Sequence, residues 1–227
     1  MKNSNVHITD TDSFNDFSAN FIKNRIEKIT TDRKINIALS GGSTPLPILK
    51  KLKQFDLKWN LINFFLVDER VVSLESSESN YKNIRDVFFD FLPSQNFPIL
   101  KESNPIDKVV ALYQKSISQH VPLDANNIPK FDLIILGMGN DGHTASLFPD
   151  TKALDEKKAF VIKNYVPKFE SYRITLTYPV LLNSEQSIVL LKGEDKLKIY
   201  KEIMDGVGEK YPITKLLGPN LNWIIGK

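Results

Sequence analysis

The fold class of this chain is decided by residues 34–45, which read Lys34-Ile-Asn-Ile-Ala-Leu-Ser-Gly-Gly-Ser-Thr-Pro45. The β-branched run from Lys34 to Leu39 is typical of a short strand, and the glycine-rich segment after it predicts a turn. Proline is favoured in the first turn of a helix, so we expect a helix that continues from Leu46 to Phe55. A strand, a glycine turn and a helix in this order indicate an α/β protein.

The same alternation of strands and helices runs through the rest of the chain. Apolar residues recur every three or four positions from Phe14 to Ile29, which predicts an amphipathic helix. Near-continuous apolar strands separated by helices favour a mostly parallel sheet that helices cover on both faces. No repeat or linker interrupts the pattern, so we predict a single domain over residues 1–227. The further predicted elements are strands at 62–67, 131–136, 159–164, 173–177, 187–191 and 222–225, and helices at 81–92, 106–120 and 195–204.

Composition excludes several classes of function. With 30 Lys and Arg against 27 Asp and Glu, the net charge of +3 is too small to indicate a nucleic-acid partner. The chain has no cysteine, which rules out disulfides, thiolate nucleophiles and cysteine-ligated metals. Residues 1–10 lack the apolar core of a signal peptide, and no apolar run is long enough to span a membrane. We therefore expect a cytoplasmic protein with no membrane partner.

Polar and glycine-rich segments follow the predicted strands, where a doubly wound sheet gathers its ligand-binding groups. The first segment, Ser40-Gly-Gly-Ser-Thr44, can turn its backbone N–H groups towards an anion beside a helix N-terminus. Phosphate is the natural ligand of such a turn. The alternative is a tight turn whose hydroxyls only cap the helix. The Gly-Lys-Ser/Thr ending of a nucleoside-triphosphate loop is absent, so ATP or GTP binding is not indicated.

A second segment, Gly137-Met-Gly-Asn-Asp-Gly142, matches the dinucleotide-binding string G-x-G-x-x-G. We reject that interpretation because the segment lies well past the first strand. The ribose-binding acid expected about twenty residues further on is also missing, since Val161 and Ile162 stand there. The loop instead brings Asp141 close to His143, and a carboxylate beside an imidazole is typical of a general base.

Other charged residues at element boundaries are weaker candidates. Asp68-Glu69-Arg70 follows a strand, where Arg70 could clamp a phosphate, although an internal ion pair is the simpler alternative. Arg173 and Lys196 also stand at boundaries, and each could equally be a solvated surface charge. We expect no cofactor and no metal, because the three histidines are well separated and cysteine is absent. A metal held mainly by carboxylates stays open as an alternative.

Five stretches of the chain form a recognisable set. They are Ser40-Gly-Gly-Ser-Thr-Pro45, Leu66-Val-Asp-Glu-Arg70, Ser79-Asn-Tyr81, Leu136-Gly-Met-Gly-Asn-Asp-Gly-His-Thr-Ala-Ser-Leu-Phe-Pro149 and Arg173-Ile-Thr-Leu-Thr177. Together they resemble the 6-phosphogluconolactonase family, from about the first helix to Trp223 and most specifically at Gly-His-Thr-Ala-Ser-Leu-Phe-Pro. The resemblance implies the modified Rossmann-like α/β fold shared with glucosamine-6-phosphate deaminases. It also implies hydrolysis of 6-phospho-D-glucono-1,5-lactone in the pentose phosphate pathway.

The resemblance also implies a set of site residues and a partner. His143 is the implied catalytic base, with Asp141 and Asp68 as active-site carboxylates. The partner is a small sugar-phosphate lactone, and the expected state is a monomer or a weak homo-oligomer. The chain departs from the family at Val71-Val72, where an aromatic residue and Val-Pro are common, and at Leu197, where the family more often has alanine. The implied phosphate-binding residues are Gly41, Gly42, Ser43, Thr44, Arg70, Arg173 and Lys196.

Two alternatives to lactone hydrolysis stay open. The resembling deaminases carry a glutamate five residues after the histidine, and Phe148 occupies that position here. Without that acid, the remaining groups suit a simpler hydrolysis. The second alternative is a non-catalytic sugar-phosphate-binding regulator, in which Asp141 and His143 would only contact the ligand.

Overall fold

The computed structural model describes residues 4–29, 33–100 and 104–227. Ten strands form within these residues, seven of them in one sheet and three in another. That residues 1–227 make one domain stays a prediction, and residues 1–3, 30–32 and 101–103 of that span lie outside the described part. The strands are β1 (Asn5–Thr9), β2 (Ile35–Leu39), β3 (Ile62–Leu66), β4 (Asp68–Arg70), β5 (Gln95–Phe97), β6 (Leu133–Gly137), β7 (Val161–Val166), β8 (Ser171–Leu176), β9 (Ser187–Lys192) and β10 (Leu221–Gly226).

The large sheet confirms the predicted, mostly parallel architecture. Its order is β1-β10-β9-β6-β2-β3-β5, and every neighbouring pair in it is parallel. The chain runs outward from β2 through β3 to β5 on one side and through β6, β9 and β10 on the other. The direction of winding therefore changes between β2 and β6. In open α/β sheets the ligand crevice lies at this switch point, beyond the carboxyl ends of the strands.

Helices cover both faces of the large sheet. Every residue of β2 and of β3 is buried, and because alternate side chains of a strand point to opposite faces, both faces must be covered. The predicted helix over residues 14–29 is confirmed with the same bounds. The predicted helix over 81–92 is shorter and continues as a 3₁₀ turn at Phe89–Phe91. The helices are α1 (Phe14–Ile29), α2 (Pro45–Leu52), α3 (Asn80–Val87), α4 (Ile106–His120), α5 (Tyr178–Leu182) and α6 (Glu194–Met204).

A second, antiparallel sheet of three strands, in the order β4-β8-β7, was not predicted. Its strands β7 and β8 correspond to the predicted strands at 159–164 and 173–177, whose apolar pattern does not reveal which sheet they join. Val67 connects the two sheets, because its N–H donates to the Leu39 carbonyl (3.0 Å) and its own carbonyl accepts from the Leu176 N–H (2.8 Å). Residues 68–70, expected only as a strand end, therefore form a strand of their own.

Tyr113 holds the chain where it leaves the large sheet. Strand β5 pairs only with Asn63 to Phe65, so Leu66 extends beyond its partner on that side. The buried Tyr113 hydroxyl takes the place of a strand there, since it accepts from the Leu66 N–H and donates to the Leu66 carbonyl, both at 2.8 Å. Burial raises the pKa of this phenol above its ordinary value, so it keeps its proton at neutral pH.

Replacing Tyr113 by phenylalanine removes both hydrogen bonds but keeps the ring. Two buried backbone groups of Leu66 then lose their partner, which we expect to lower the free energy of unfolding by about 1–3 kcal/mol. Urea denaturation of the full chain measures this change. Tyr165→Phe is the control, because that side chain is exposed and its loss of a hydroxyl costs little. Equal midpoints for the two variants would contradict the role given to Tyr113.

Candidate active site

The structure gathers most of the predicted site residues at the carboxyl edge of the large sheet. One recess, here called the glycine-turn recess, is lined by the turn after β2, by Asp68, Arg70 and His143, and by Lys196 of α6. A second, the Arg173 recess, adjoins it and is lined by Arg173. Asp141 lines neither recess, but its carboxylate accepts a hydrogen bond from the His143 ring. Four residues line both recesses: Asp68, Arg70, His143 and Ala145.

The glycine turn sits at the switch point of the sheet. The Ser40 N–H donates to the Ile135 carbonyl of β6 (2.9 Å), which ties the turn to the neighbouring strand. Gly41 lies so close to Asn80 that a Cβ at Gly41 would stand 2.5 Å from the Asn80 Cβ, so only glycine fits. Thr44 makes no side-chain hydrogen bond to the N-terminus of α2, so its hydroxyl does not serve as the helix cap.

Two buried polar atoms of the glycine-turn recess lack a partner in the described part of the chain. These are the Ser40 Oγ and the Asn80 Oδ1, both on residues that line the recess. Buried polar groups are nearly always hydrogen-bonded, and exceptions concentrate at functional sites. The pair therefore marks this recess as a binding site for a polar ligand.

Glu69 points away from the recesses, opposite to its neighbours Asp68 and Arg70 in β4, and has a structural role. Glu69 is fully buried and accepts from the N–H groups of Arg70 (2.8 Å), Asn80 (2.7 Å) and Tyr81 (2.8 Å) and from the Ser79 hydroxyl (3.1 Å). Burial raises the pKa of Glu69, and the three backbone donors act against that rise. Glu69 thus anchors the N-terminus of α3, a role that its position in the sequence did not reveal.

Asp68 and Arg70 face the recesses and do not pair with each other. The Asp68 carboxylate accepts from the Ser146 hydroxyl at 2.6 Å. Arg70 donates from Nη1 to the backbone carbonyl of Glu78 at 2.5 Å. The internal ion pair considered as an alternative for this segment is therefore absent among the ion pairs of residues 4–29, 33–100 and 104–227.

His143 and Asp141 form the predicted carboxylate–imidazole pair. The Nδ1 of His143 lies 2.5 Å from the Asp141 Oδ1. An ionised carboxylate only accepts hydrogen bonds, so Nδ1 carries a proton that it donates to Asp141, and Nε2 is the ring nitrogen that this bond does not use. Burial raises the pKa of Asp141, but the hydrogen bond from His143 and the charges of His143 and Lys168 outweigh burial, and the net pKa is well below its ordinary value. Asp141 is therefore ionised at neutral pH.

Phe148 and Gly139 pack against the His143 ring and Lys168 contacts its partner Asp141, three contacts that sequence reasoning did not predict. Phe148 stacks on the imidazole with ring centroids 3.9 Å apart. A Cβ at Gly139 would stand 2.1 Å from the His143 Cε1, so the ring fills the space that glycine leaves. Lys168, exposed at the tip between β7 and β8, places its Nζ 3.3 Å from the free oxygen of Asp141. The glycine at position 139 could have indicated that a side chain packs against the backbone there. Nothing in the sequence distinguishes Lys168 from other lysines.

Arg173 and Lys196 are both half-buried, and neither forms an ion pair within the described residues. Burial lowers the pKa of Lys196. Burial and the positive charge of Arg70 lower the pKa of Arg173. The structure separates these two cations: Lys196 lines the glycine-turn recess and Arg173 lines the adjoining one.

A family model described as glucosamine-6-phosphate isomerases/6-phosphogluconolactonase matches residues 9–223. The chain belongs to this family. A 6-phosphogluconolactonase of Thermotoga maritima is 38% identical over 197 residues, which cover 85% of this chain and 86% of that protein. One of Chlamydia pneumoniae is 38% identical over 187 residues, covering 79% and 70%. A crystal structure of 6-phosphogluconolactonase from Thermotoga maritima matches with a TM-score of 0.87 at 32% identity, covering 99% of this chain and all of that one.

Family membership confirms the predicted resemblance and fold class. The family description names two activities, isomerisation of an amino sugar phosphate and hydrolysis of a lactone, and the relatives above carry the name of the second. The described residues contain no helix with both the length and the apolar character needed to cross a membrane.

The close contact between Gly139 and His143 predicts that a methyl group added at position 139 displaces the imidazole ring. In Gly139→Ala the new Cβ would overlap the imidazole, so we expect the hydrogen bond between His143 and Asp141 to be lost. The readout is the downfield proton resonance of the imidazole Nδ1–H. Gly218→Ala is the control, because its Cβ would meet nothing closer than 4.0 Å. A Gly139→Ala variant that keeps the resonance would show that the ring is not held as described.

Proposed function

We propose that this chain hydrolyses 6-phospho-D-glucono-1,5-lactone to 6-phospho-D-gluconate, with His143 as the general base. The observation that carries the proposal is the imidazole bound at Nδ1 by an ionised carboxylate and placed beside a recess suited to phosphate. Relatives named 6-phosphogluconolactonase over most of the chain support the choice of substrate. The proposal includes a cytoplasmic location and a place in the oxidative branch of the pentose phosphate pathway. The oligomeric state stays a prediction.

The reaction needs only a base, water and a site for the developing oxyanion. Neutral His143 accepts a proton at Nε2 from a water molecule, whose oxygen attacks the lactone carbonyl. The tetrahedral intermediate collapses as the bond to the ring oxygen breaks, and that oxygen receives the proton from the imidazolium. Asp141 orients the ring and stabilises its charged form between the two transfers. No covalent intermediate with the protein is required.

The glycine-turn recess suits the phosphate of the substrate. Its backbone N–H groups, the N-terminus of α2 and the cations of Lys196 and Arg70 favour a dianion there. Because burial lowers the Lys196 pKa, a bound phosphate would stabilise the charged form of this amine. Binding the remote phosphate orients the lactone carbonyl against His143, which lowers the entropic cost of reaching the transition state. Arg173, which the resemblance also assigns to phosphate, lies in the adjoining recess.

Phe148 argues for hydrolysis over deamination. The aromatic ring covers one face of the imidazole at the position where the deaminases carry an acid. The intact pair of Asp141 and His143 likewise argues against a regulator that has lost catalysis.

Two parallel assays test the proposed function. The first follows acid release from freshly prepared 6-phospho-D-glucono-1,5-lactone and subtracts its spontaneous hydrolysis. The second follows ammonia release from glucosamine 6-phosphate. Acceleration of the first reaction alone supports lactone hydrolysis. Ammonia release without lactone hydrolysis would make the chain a deaminase, and inactivity in both assays would leave a binding protein.

Removing the base should lower kcat more than it changes KM. In His143→Asn the water loses its proton acceptor, so we expect kcat to fall by about 10²–10⁴-fold, while the phosphate contacts keep KM within a few-fold. Steady-state kinetics on the lactone measures both constants. His120→Asn is the matched control, because His120 lies at the end of α4, where its ring contacts the Ser116 carbonyl and aromatic neighbours and lines neither recess. Unchanged kcat in His143→Asn would exclude the base assignment.

Asp141→Asn should change the pH profile of the reaction. The amide no longer offsets the charge of the imidazolium, so protonation of His143 becomes less favourable and the acid limb of kcat/KM should move to lower pH. The plateau should also fall, by up to about 10²–10⁴-fold, because the ring loses its orientation. Initial rates between pH 5 and 9 measure both effects. An acid limb that moves to higher pH would contradict an ionised Asp141.

A further inference from the structure

The two recesses lie on either side of His143 and Arg70. We propose that the Arg173 recess binds the carboxylate that hydrolysis creates, so that the two anionic ends of the product occupy different recesses. The inference rests on the proposed function and deepens it. It assigns to Arg173 a contact with the reacting end of the substrate, whereas the resemblance assigns Arg173 to the phosphate.

The Arg173 guanidinium has unused hydrogen-bonding capacity. Its Nη1 donates to the Ser171 hydroxyl at 3.0 Å and to the Tyr172 carbonyl at 3.4 Å. In the described part of the chain it contacts no carboxylate within ion-pair distance. A guanidinium has five N–H donors in a planar fork that matches a carboxylate. Arg173 can therefore bind an anion without breaking an existing ion pair.

The positive charge of Arg70 makes the binding of an anion beside Arg173 more favourable. Arg173 of β8 lies directly opposite Arg70 of β4, on the same face of the small sheet. Like charges in opposite register destabilise a sheet, and both burial and Arg70 lower the pKa of Arg173. An anion between the two guanidiniums would remove this repulsion.

Two carboxylates also line the Arg173 recess, but neither neutralises its cations directly. Asp68 accepts from the Ser146 hydroxyl. Glu78 contacts Arg70 through its backbone carbonyl and not through its side chain. No ion pair within 4 Å joins either acid to Arg70 or Arg173 among the described residues, so the guanidiniums keep their attraction for a ligand.

Two aromatic rings, Phe148 and Phe169, lie between the imidazole of His143 and the guanidinium of Arg173. Phe148 stacks on His143, Phe169 meets Phe148 edge-on at 5.6 Å, and the Arg173 guanidinium lies 5.4 Å from the centre of the Phe169 ring. The Phe169 ring covers one side of the guanidinium and so limits its contact with water there. An ion pair is stronger where less water is present, so this side of the cation favours a carboxylate that forms at the imidazole end.

The chemistry of the reaction supplies that carboxylate at the right end of the molecule. The substrate carries one anionic group, the phosphate on C6, and its lactone end is neutral. Hydrolysis turns C1, the carbon that water attacks beside His143, into a carboxylate. With the phosphate in the glycine-turn recess, the new charge appears at the residues that both recesses share. Arg173 would then stabilise the negative charge developing on the C1 oxygens and bind the product.

Two ligands that differ only at C1 separate the two recesses. The product 6-phosphogluconate has a carboxylate at C1, and glucitol 6-phosphate has a neutral hydroxymethyl group there. Isothermal titration calorimetry with Arg173→Gln should show 6-phosphogluconate bound about 10- to 100-fold more weakly than by the wild type, with glucitol 6-phosphate unchanged. In Lys196→Gln both ligands should weaken by similar factors. Arg173→Lys keeps the charge but loses the fork, and should give an intermediate loss for 6-phosphogluconate alone.

Each other outcome overturns the assignment. Equal weakening of both ligands in Arg173→Gln would place Arg173 at the phosphate end, and unchanged binding of both would remove it from the site. Thermal unfolding checks that each variant folds. If Arg173→Gln does not fold, the comparison of the two ligands is made with Arg173→Lys. Failure of the proposed function looks different, because the wild type would then leave lactone hydrolysis at its background rate.

Discussion

The site depends first on one topological constraint, the parallel pairing of β2 with β6 at the point where the sheet reverses its winding. Parallel neighbours end at the same edge, so the turn after β2 and the loop after β6 lie side by side although about a hundred residues separate them. The first supplies backbone donors for an anion, and the second supplies His143. Neither segment could reach the other if the strands were antiparallel or further apart in the sheet.

A buried carboxylate attaches the second sheet to the start of α3. Glu69 loses its hydration completely, and three backbone N–H groups and one hydroxyl replace it. The same bonds fix the start of α3 and the direction of β4. Because β4 pairs with β8, fixing β4 also sets where Arg173 lies relative to Arg70. Glu69, which lines neither recess, thus supports the strand that carries Arg70 opposite Arg173.

Strands and site contacts could be predicted from the sequence where neighbouring residues specify them, and not where they depend on distant parts of the chain. Apolar runs such as 35–39 and 62–66 predicted buried parallel strands, and the spacing of Asp141 and His143 predicted their pairing. Strands β1 and β5 lie at the two edges of the large sheet, and their polar or very short sequences carry no such signal. The contacts of Lys168 with Asp141 and of Phe169 with Phe148 depend on the docking of the small sheet, which no sequence pattern specifies.

The small net charge of +3 becomes informative once the cations are placed. Arg70, Arg173 and Lys196 line two recesses that share His143, so the proposed substrate, a single sugar phosphate, needs no overall basic surface. The separation of these cations between two recesses suits a reaction that begins with one anionic group and ends with two. The same arrangement keeps His143 in contact with both recesses.

The central claim is that the site accelerates lactone hydrolysis by removing a proton from the attacking water. Its most direct test is the single-turnover rate of lactone hydrolysis by the wild type in H₂O and in D₂O, each corrected for the spontaneous reaction in the same solvent. Proton transfer in the transition state predicts an enzymatic rate well above background that is clearly lower in D₂O. A rate that does not exceed the spontaneous reaction, or one that is equal in the two solvents, would contradict the claim.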